Sequence, residues 1–371
     1  MKKFCLVFLI FLASLCGCQS SFGPSALQYT HPAYNQVIAN TLDQQMLQNL
    51  VRLKYRDTAF FLSINSVTAS FSMGADIGLD AAYPVDTDQN NVRLGGGRLI
   101  RPNIGMSYSQ SPTISYTPLQ GEEFLKNVLT PIPLEAILIL TQSGWRIDRI
   151  LAVCIERINK VRNAPRASGP TPIKEPQYKK FKRMLELFYQ LEIAGLIEIG
   201  PDLDFDNNRR LRILFEPNPD YQAEFKELKS LLGVKQGLNS FSISNNFLYP
   251  KDTDLVVHTR SIVSVLHYLA QNVEVPETHK NDGLVTITKT ADGKEFNWDE
   301  TPAGTMLKVR SQTSGEPDNA FVSVPYRGVW FYIADNDLQS KSTFKLLSSL
   351  FSLQAGMIRS SGPTLTLPVG R

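Results

Sequence analysis

From Tyr34 to Arg56, apolar residues recur at three- and four-residue steps: Ile38, Leu42, Met46, Leu50 and Leu53. That spacing predicts a helix with one apolar stripe. Its other face is neutral and polar, with Asn35, Gln36, Gln44, Gln45 and Gln48, a surface suited to water or to another protein. Between Phe60 and Phe71 the pattern changes to β-branched, aromatic and small polar residues, among them Ile64, Val67 and Thr68, which predicts a strand. A polar stretch from Asp76 to Gly97 follows, with Pro84 and Gly95-Gly96-Gly97. It is too long for a plain connection and reads as a functional loop, a mobile loop or a loose hairpin. Strand-like residues resume at 104–108 and 113–116, giving a small antiparallel sheet with a long insertion. Gly121 to Leu140 is helical with a break at Pro131 and Pro133, and Trp145 to Asn159 predicts a further amphipathic helix carrying Cys154 on its apolar side.

Asn163 to Pro176 holds four prolines and Gly169, the composition of a linker. Beyond it, helices are expected at 178–193, 221–232, 261–271 and 342–353. A hairpin is expected from Leu196–Ile199 and Leu211–Phe215, and strands at 241–243, 255–257, 284–288, 306–309, 320–324, 329–333 and 364–367. Strands and helices mix without a repeating βαβ rhythm. The expected class is therefore α+β, with helices packed on small antiparallel sheets. Two domains are expected, 33–162 and 177–371, joined by the 163–176 linker.

The N-terminus changes the picture. Met1-Lys2-Lys3 precedes an apolar run from Phe4 to Leu15, shorter than the roughly 20 apolar residues a membrane-spanning helix needs. A basic start, a short apolar run and small residues beyond it form an export signal. Leu15-Cys16-Gly17-Cys18 resembles the bacterial lipobox. The resemblance implies a signal peptide over 1–17, cleavage before Cys18, and lipid on the Cys18 thiol and the new amine. Several acyl chains at one residue anchor a protein stably. Residues 18–32 then serve as a lipidated tether, and Gln19 in place of Asp implies the outer membrane, periplasmic face.

Removing residues 1–17 from the 371 leaves 354, and removing Lys2 and Lys3 from 38 basic residues leaves 36 against 35 acidic. A near-neutral body lacks the basic excess of nucleic-acid binders, so no nucleic-acid partner is expected. Of four cysteines only Cys154 remains as a free thiol, so no internal disulfide forms. Signatures of chemistry are missing: Gly95-Gly96-Gly97 is not followed by a helix as a phosphate loop would be, there is no His-Glu-x-x-His, and no Gly-x-Ser-x-Gly. Asp202-x-Asp204-x-Asp206 has Asn207 where a calcium loop needs Gly and Ile213 where it needs Glu, so it reads as a solvated turn. No catalytic residue, metal site or cofactor is expected.

Two polar–aromatic clusters remain. One holds Trp145 and Arg149. The other runs Tyr326-Arg327-Gly328-Val329-Trp330-Phe331-Tyr332 and is followed by Asp335. Trp, Tyr and Arg are enriched at binding hot spots, and aromatic faces near carboxylates also suit a glycan. Alternating aromatic residues equally describe a strand that sends every second side chain into a core. The candidate interaction residues are thus Trp145, Arg149, Tyr326, Arg327, Trp330, Tyr332 and Asp335. Lys179-Lys180 with Lys182-Arg183 makes a basic helix start, open to an anionic contact or to solvent.

Several segments together, Gln48-Asn49-Leu50-Val51-Arg52-Leu53-Lys54-Tyr55-Arg56-Asp57, Gln142-Ser143-Gly144-Trp145, Tyr326–Ile333 and Leu365–Gly370 among them, are similar to an uncharacterised family of predicted Gram-negative outer-membrane lipoproteins. The likeness covers most of the mature chain. It implies a lipid anchor and a diderm host, and it carries over no catalytic residue. The expected role is a non-enzymatic scaffold or accessory subunit of an envelope assembly, with other envelope proteins as partners. The alternative is a module that binds or hydrolyses cell-wall glycan or peptide.

Overall fold

A computed structural model describes residues 22–82, 85–88, 91–94, 99–203, 209–246 and 251–355. It divides into two units, a body made of 1–59 and 120–371 and a separate unit at 60–119. The class is α+β, as the sequence predicts.

In the body, α1 (Phe22–Lys54) is 33 residues long. Its apolar stripe is buried only toward its C-terminal half. Met46, Leu47, Leu50 and Val51 are buried, whereas Leu42 is 43% exposed. The helix also runs through residues 22–32, which were expected to be tether; Pro32 lies inside it. The break at Pro131 and Pro133 separates α2 (Glu122–Leu129) from α3 (Leu134–Gln142). Next come α4 (Ile147–Cys154), β5 (Ile155–Ile158) and β6 (Val161–Arg162). After α5 (Lys179–Ile193), the hairpin of β7 (Ile197–Leu203) and β8 (Arg209–Phe215) leads to α6 (Gln222–Leu232), β9 (Ser240–Ser244) and β10 (Asp254–Thr259). The six strands order as β6-β5-β10-β9-β8-β7, antiparallel except for the parallel pair β9/β10. Helices α5 and α6 close one side of this sheet through an aromatic cluster centred on Phe215, whose ring lies 5.8–6.4 Å from those of Phe188, Phe225 and Phe241.

The remaining elements are α7 (Ile262–Ala270), the short α8 (Glu277–Asn281), β11 (Arg310–Gln312), β12 (Ala320–Tyr326), β13 (Val329–Ala334) and α9 (Leu338–Ala355). Strands β11-β13-β12 form a three-stranded sheet, and α1 packs against β12 and α7. Segments 284–288 and 306–309, expected as strands, lie outside regular strands: the first is loop and Met306 belongs to a turn. Residues 364–367 fall outside the described residues.

Two expectations are corrected by one side chain. The helix predicted to Asn159 stops at Cys154, and the predicted 163–176 linker is a packed strap in which Asn163, Ala164 and Ala167 are fully buried. Arg260, 1% exposed, explains both. Its guanidinium donates to the carbonyls of Val153, Ile155 (2.6 Å) and Asn163, and to the Ser168 hydroxyl at 3.0 Å. The Asn163 amide donates to the carbonyls of Ala152 and Ile155, at 2.8 Å each. The carbonyls that end α4 are thus taken by side chains from elsewhere, so β-branched Ile155 turns into a strand. The strap is held further downstream, where Thr288 donates to the Pro172 carbonyl.

The second unit is a ribbon. β1 (Leu62–Ala82) and β4 (Leu99–Pro118) pair antiparallel along their whole length. A short hairpin of β2 (Val85–Asp88) and β3 (Asn91–Leu94) lies between them in sequence. The described part of 76–97 is therefore all strand, in line with the hairpin alternative for this stretch.

Replacing Arg260 by Met removes the donor to four acceptors, of which the Ile155 carbonyl keeps the Asn163 amide and the Ser168 hydroxyl keeps its bond to Glu156; the loss is expected to cost about 3 kcal/mol or more. Arg260→Lys recovers less than half of this, because an ammonium cannot reproduce the planar fork. Urea unfolding midpoints of the three proteins check both statements.

Candidate functional site

The end of α1 gathers the densest polar contacts around any of the predicted residues. The chain leaves the helix at Arg56, whose φ is 62°, and each of four consecutive side chains reaches a different partner. Lys54 donates to the Gln271 carbonyl at 3.1 Å. The Tyr55 hydroxyl lies 2.7 Å from His279 Nδ1. Arg56 donates to the Thr286 hydroxyl. Asp57 accepts from the Tyr326 hydroxyl and, at 3.0 Å, from Arg327.

Tyr326 and Arg327 come from the turn between β12 and β13. Arg327 (φ 51°) and Gly328 (φ 80°) both have positive φ, the two-residue turn whose twist suits a hairpin. An arginine in that conformation is unusual. Here it places the guanidinium 5.3 Å from the Tyr55 ring centre and beside Asp57. The Tyr326 hydroxyl holds the Asp57 carboxyl below its ordinary value, aided by Arg327. Burial, then the Asp57 hydrogen bond, pushes Tyr326 up. Burial raises Tyr55 to about 12. With Tyr326 and Asp57 bonded to each other, neither is poised as a general acid or base.

Beside this clamp lies a cavity of about 470 Å³, lined by Lys54, Asn272, Lys280, Glu295, Asp299 and Lys308 among others. Lys280 bridges Glu277 and Glu295 at 2.9 and 3.0 Å, and Lys308 pairs with Asp299 at 2.7 Å. Burial lowers Lys54 to about 8; Glu295 opposes the shift and Lys280 adds to it. Asn272 Oδ1 is buried and has no hydrogen-bond partner among the described residues. A larger groove of about 970 Å³ has Lys160, Arg162, Lys174, Lys179, Lys180 and Lys289 in its walls against the single acid Glu175. Of the predicted basic helix start, Lys179 and Lys180 line it, whereas Lys182 donates to the Glu300 carbonyl and Arg183 pairs with Glu186 and Glu227.

The other predicted residues separate. Trp330 and Tyr332 alternate with buried Val329, Phe331 and Ile333, so they share the opposite face of β13. They stand in register with Gln312 and Arg310 of β11 and with Pro325 and Ser323 of β12. The core-strand reading holds for Val329, Phe331 and Ile333, and Trp330 and Tyr332 are half-buried on the other face. Asp335 is exposed and paired with Lys341 at 2.6 Å. Trp145 and Arg149 belong to another region, where buried Arg149 donates to Gln339 of α9. Its neighbour Arg146 pairs with Asp148 and stacks 4.1 Å from the Tyr189 ring centre. Cys18, Asp204 and Asp206 lie outside the described residues, whereas Asp202 pairs with Arg212 at 2.6 Å. Cys154 is fully buried, and burial pushes its thiol up to about 12.

Lys54, Tyr55, Asp57 and His279 are not among the candidate residues that the sequence predicts. Lys-Tyr-Arg-Asp directly after an apolar stripe was the available signal, but its partners lie more than 200 residues away. Among the described residues no group of three His, Cys, Asp or Glu is placed to hold a metal, and no helix is long and apolar enough to cross a membrane. No protein family, curated protein or solved structure matches this chain.

Lys54 binds its proton less tightly when folded (about 8) than at its ordinary 10.5. Its contribution to stability is therefore complete above pH 10.5 and is lost as pH falls through about 8. NMR titration of reductively ¹³C-methylated protein is expected to show one lysine resonance with a midpoint near 8, absent in Lys54→Met.

Proposed function

We propose that the protein is an outer-membrane lipoprotein, held by lipid on Cys18 at the periplasmic face, that serves as a non-enzymatic subunit of an envelope assembly. The observation that carries this reading is the ribbon of β1 and β4. It is a two-stranded sheet about 20 residues long, and no third strand joins it among the described residues. A two-stranded sheet is marginal by itself in water, and long strands at a sheet edge serve as templates for another chain. The anchor rests on Leu15-Cys16-Gly17-Cys18. The absence of catalysis is supported by the clamp at Asp57, whose acid, phenol and guanidinium are bonded to one another, and by the depth of Cys154.

Cross-linking in living cells followed by mild detergent extraction tests this role. Wild type is expected in the outer-membrane fraction within a defined high-molecular-weight species, and Cys18→Ser is expected to leave the membrane. Monomeric, uncross-linked wild-type protein would sink the assembly reading.

The outer face of β13 favours a second reading, in which Trp330 and Tyr332 form a stacking platform for a cell-wall glycan. Under the leading proposal, Trp330→Ala leaves retention on purified sacculi unchanged. A drop of about tenfold, the scale of one lost stacking contact, would transfer the weight to wall binding.

A further inference from the structure

The ribbon is two-faced along its whole length. From Val67 to Ala81 every odd position of β1 is apolar, and from Ser66 to Asp80 every even position is Ser, Thr, Gly or Asp. On β4 the parity is reversed. Even positions from Ile100 to Tyr116 carry no charge, with Gln110 the one amide, and odd positions from Arg101 to Thr117 are Ser, Thr, Gly, Asn or Arg. The register joins odd to even, as in Val67↔Ile114, Met73↔Tyr108 and Ile77↔Ile104. The apolar sets of the two strands therefore fall on one face and the polar sets on the other.

At its base the ribbon keeps this division by a bulge. Below Val67 the apolar residues of β1 are Leu62 and Ile64, at even positions, paired with Pro118 and Tyr116. The register shifts between Ile64 and Ser66, inserting one extra residue where the sequence changes parity. A bulge does just this, and it keeps the apolar face continuous from one end to the other. Every charged residue of the two strands, Asp76, Asp80 and Arg101, lies on the polar face, and Asp80 is directly opposite Arg101.

We propose that this hairpin is one stave of a membrane-crossing β-barrel closed by several copies of this chain. Its apolar face meets lipid and its Ser/Thr/Gly face lines a water-filled lumen. The proposal deepens the envelope-assembly reading and rests on its membrane placement.

Three features favour lipid over a protein partner on the apolar face. Charge is absent from that face throughout, as lipid demands, since a cation at mid-membrane costs roughly 2–4 kcal/mol; protein-facing surfaces carry polar rims. The 15 positions from 67 to 81 span about 50 Å at 3.3–3.4 Å per residue. At a barrel tilt of about 40° they cover more than the roughly 25 Å apolar band of such barrels. The polar face is built mostly from Ser, Thr and Gly, which leave space inside a ring. Closure by copies pairs the backbone at both edges of every hairpin, as a bilayer requires. The smallest barrels have about eight strands, so at least about four copies are needed. Pro102 and Pro112 each take one donor from β4 without interrupting its register with β1.

Cys154 is fully buried and Cys18 carries lipid in this reading, so single cysteines can be introduced against a quiet background. Ser70→Cys, Phe71→Cys, Ser72→Cys and Met73→Cys in full-length protein would be labelled with a membrane-impermeant maleimide in native outer-membrane vesicles opened by freeze–thaw. Labelling is expected to alternate, with positions 71 and 73 at least about tenfold slower than 70 and 72. Detergent-extracted protein is expected as a homo-oligomer of at least about four copies that conducts ions in planar bilayers. Equal labelling at odd and even positions overturns the barrel. So does an assembly whose cross-links join the ribbon only to a different protein, although the envelope-assembly reading survives that result. If wild type does not fractionate with membranes, the anchored reading itself fails.

Discussion

A buried cation without a buried anion organises the body. Removing a guanidinium from water is costly, and Arg260 is offset by several groups at once: three carbonyls, the Ser168 hydroxyl, and the face of Tyr268 at 4.0 Å. The Ser168 hydroxyl in turn donates to Glu156 at 2.8 Å, so this carboxylate acts through a hydroxyl. Tyr268 donates to Asn163 at 2.8 Å, and Asn163 donates to the end of α4. One connected network thus ties α4, β5, the 163–168 turn and α7 together. A fully satisfied network of this kind is rigid and unforgiving, and the position of the strap, the end of α4 and the entry to α7 all depend on it.

The end of α1 repeats that logic closer to the surface. Its last apolar residues sink into the body, and its final polar ones are distributed among α7, α8, the 284–288 loop and the β12–β13 turn. Arg327 occupies a backbone region that few non-glycine residues favour, and its contacts with Asp57 and the Tyr55 ring offset that preference. The cluster is held in place by internal bonds, which suits a clamp on the chain just before residue 60 better than a reactive centre. The Lys54 cavity is the exception, since its amine is shifted toward neutrality by burial while the surrounding acids are occupied by Lys280 and Lys308.

The ribbon follows different rules from the body. Its division into two faces comes from strand geometry and residue choice alone, and the bulge at its base preserves that division where the sequence changes parity. A face with no charge over some fifteen positions, opposite a polar one, suits surroundings that differ on the two sides.

The strongly periodic helices, the Pro131/Pro133 break, the 196–215 hairpin and the burial of Cys154 were all legible in the chain, because each follows from local spacing or from breaker residues. The two-faced ribbon was also written in the period-two pattern, but Ala, Gly and Ser at many positions made it resemble a polar loop. The split of the 326–332 cluster follows from the same alternation. Nothing local marked Arg260: an arginine before a helix looks like surface, and only packing shows that carbonyls 97 to 107 residues away converge on it. The same holds for Tyr55 and His279, 224 residues apart, and for the proline-rich strap. The sequence by itself determined the elements and their faces, because periodicity and turn chemistry act over a few residues. Tertiary structure decided where α4 ends, what the strap does and which polar groups meet, because desolvation and hydrogen-bond satisfaction are settled only when distant segments share one interior.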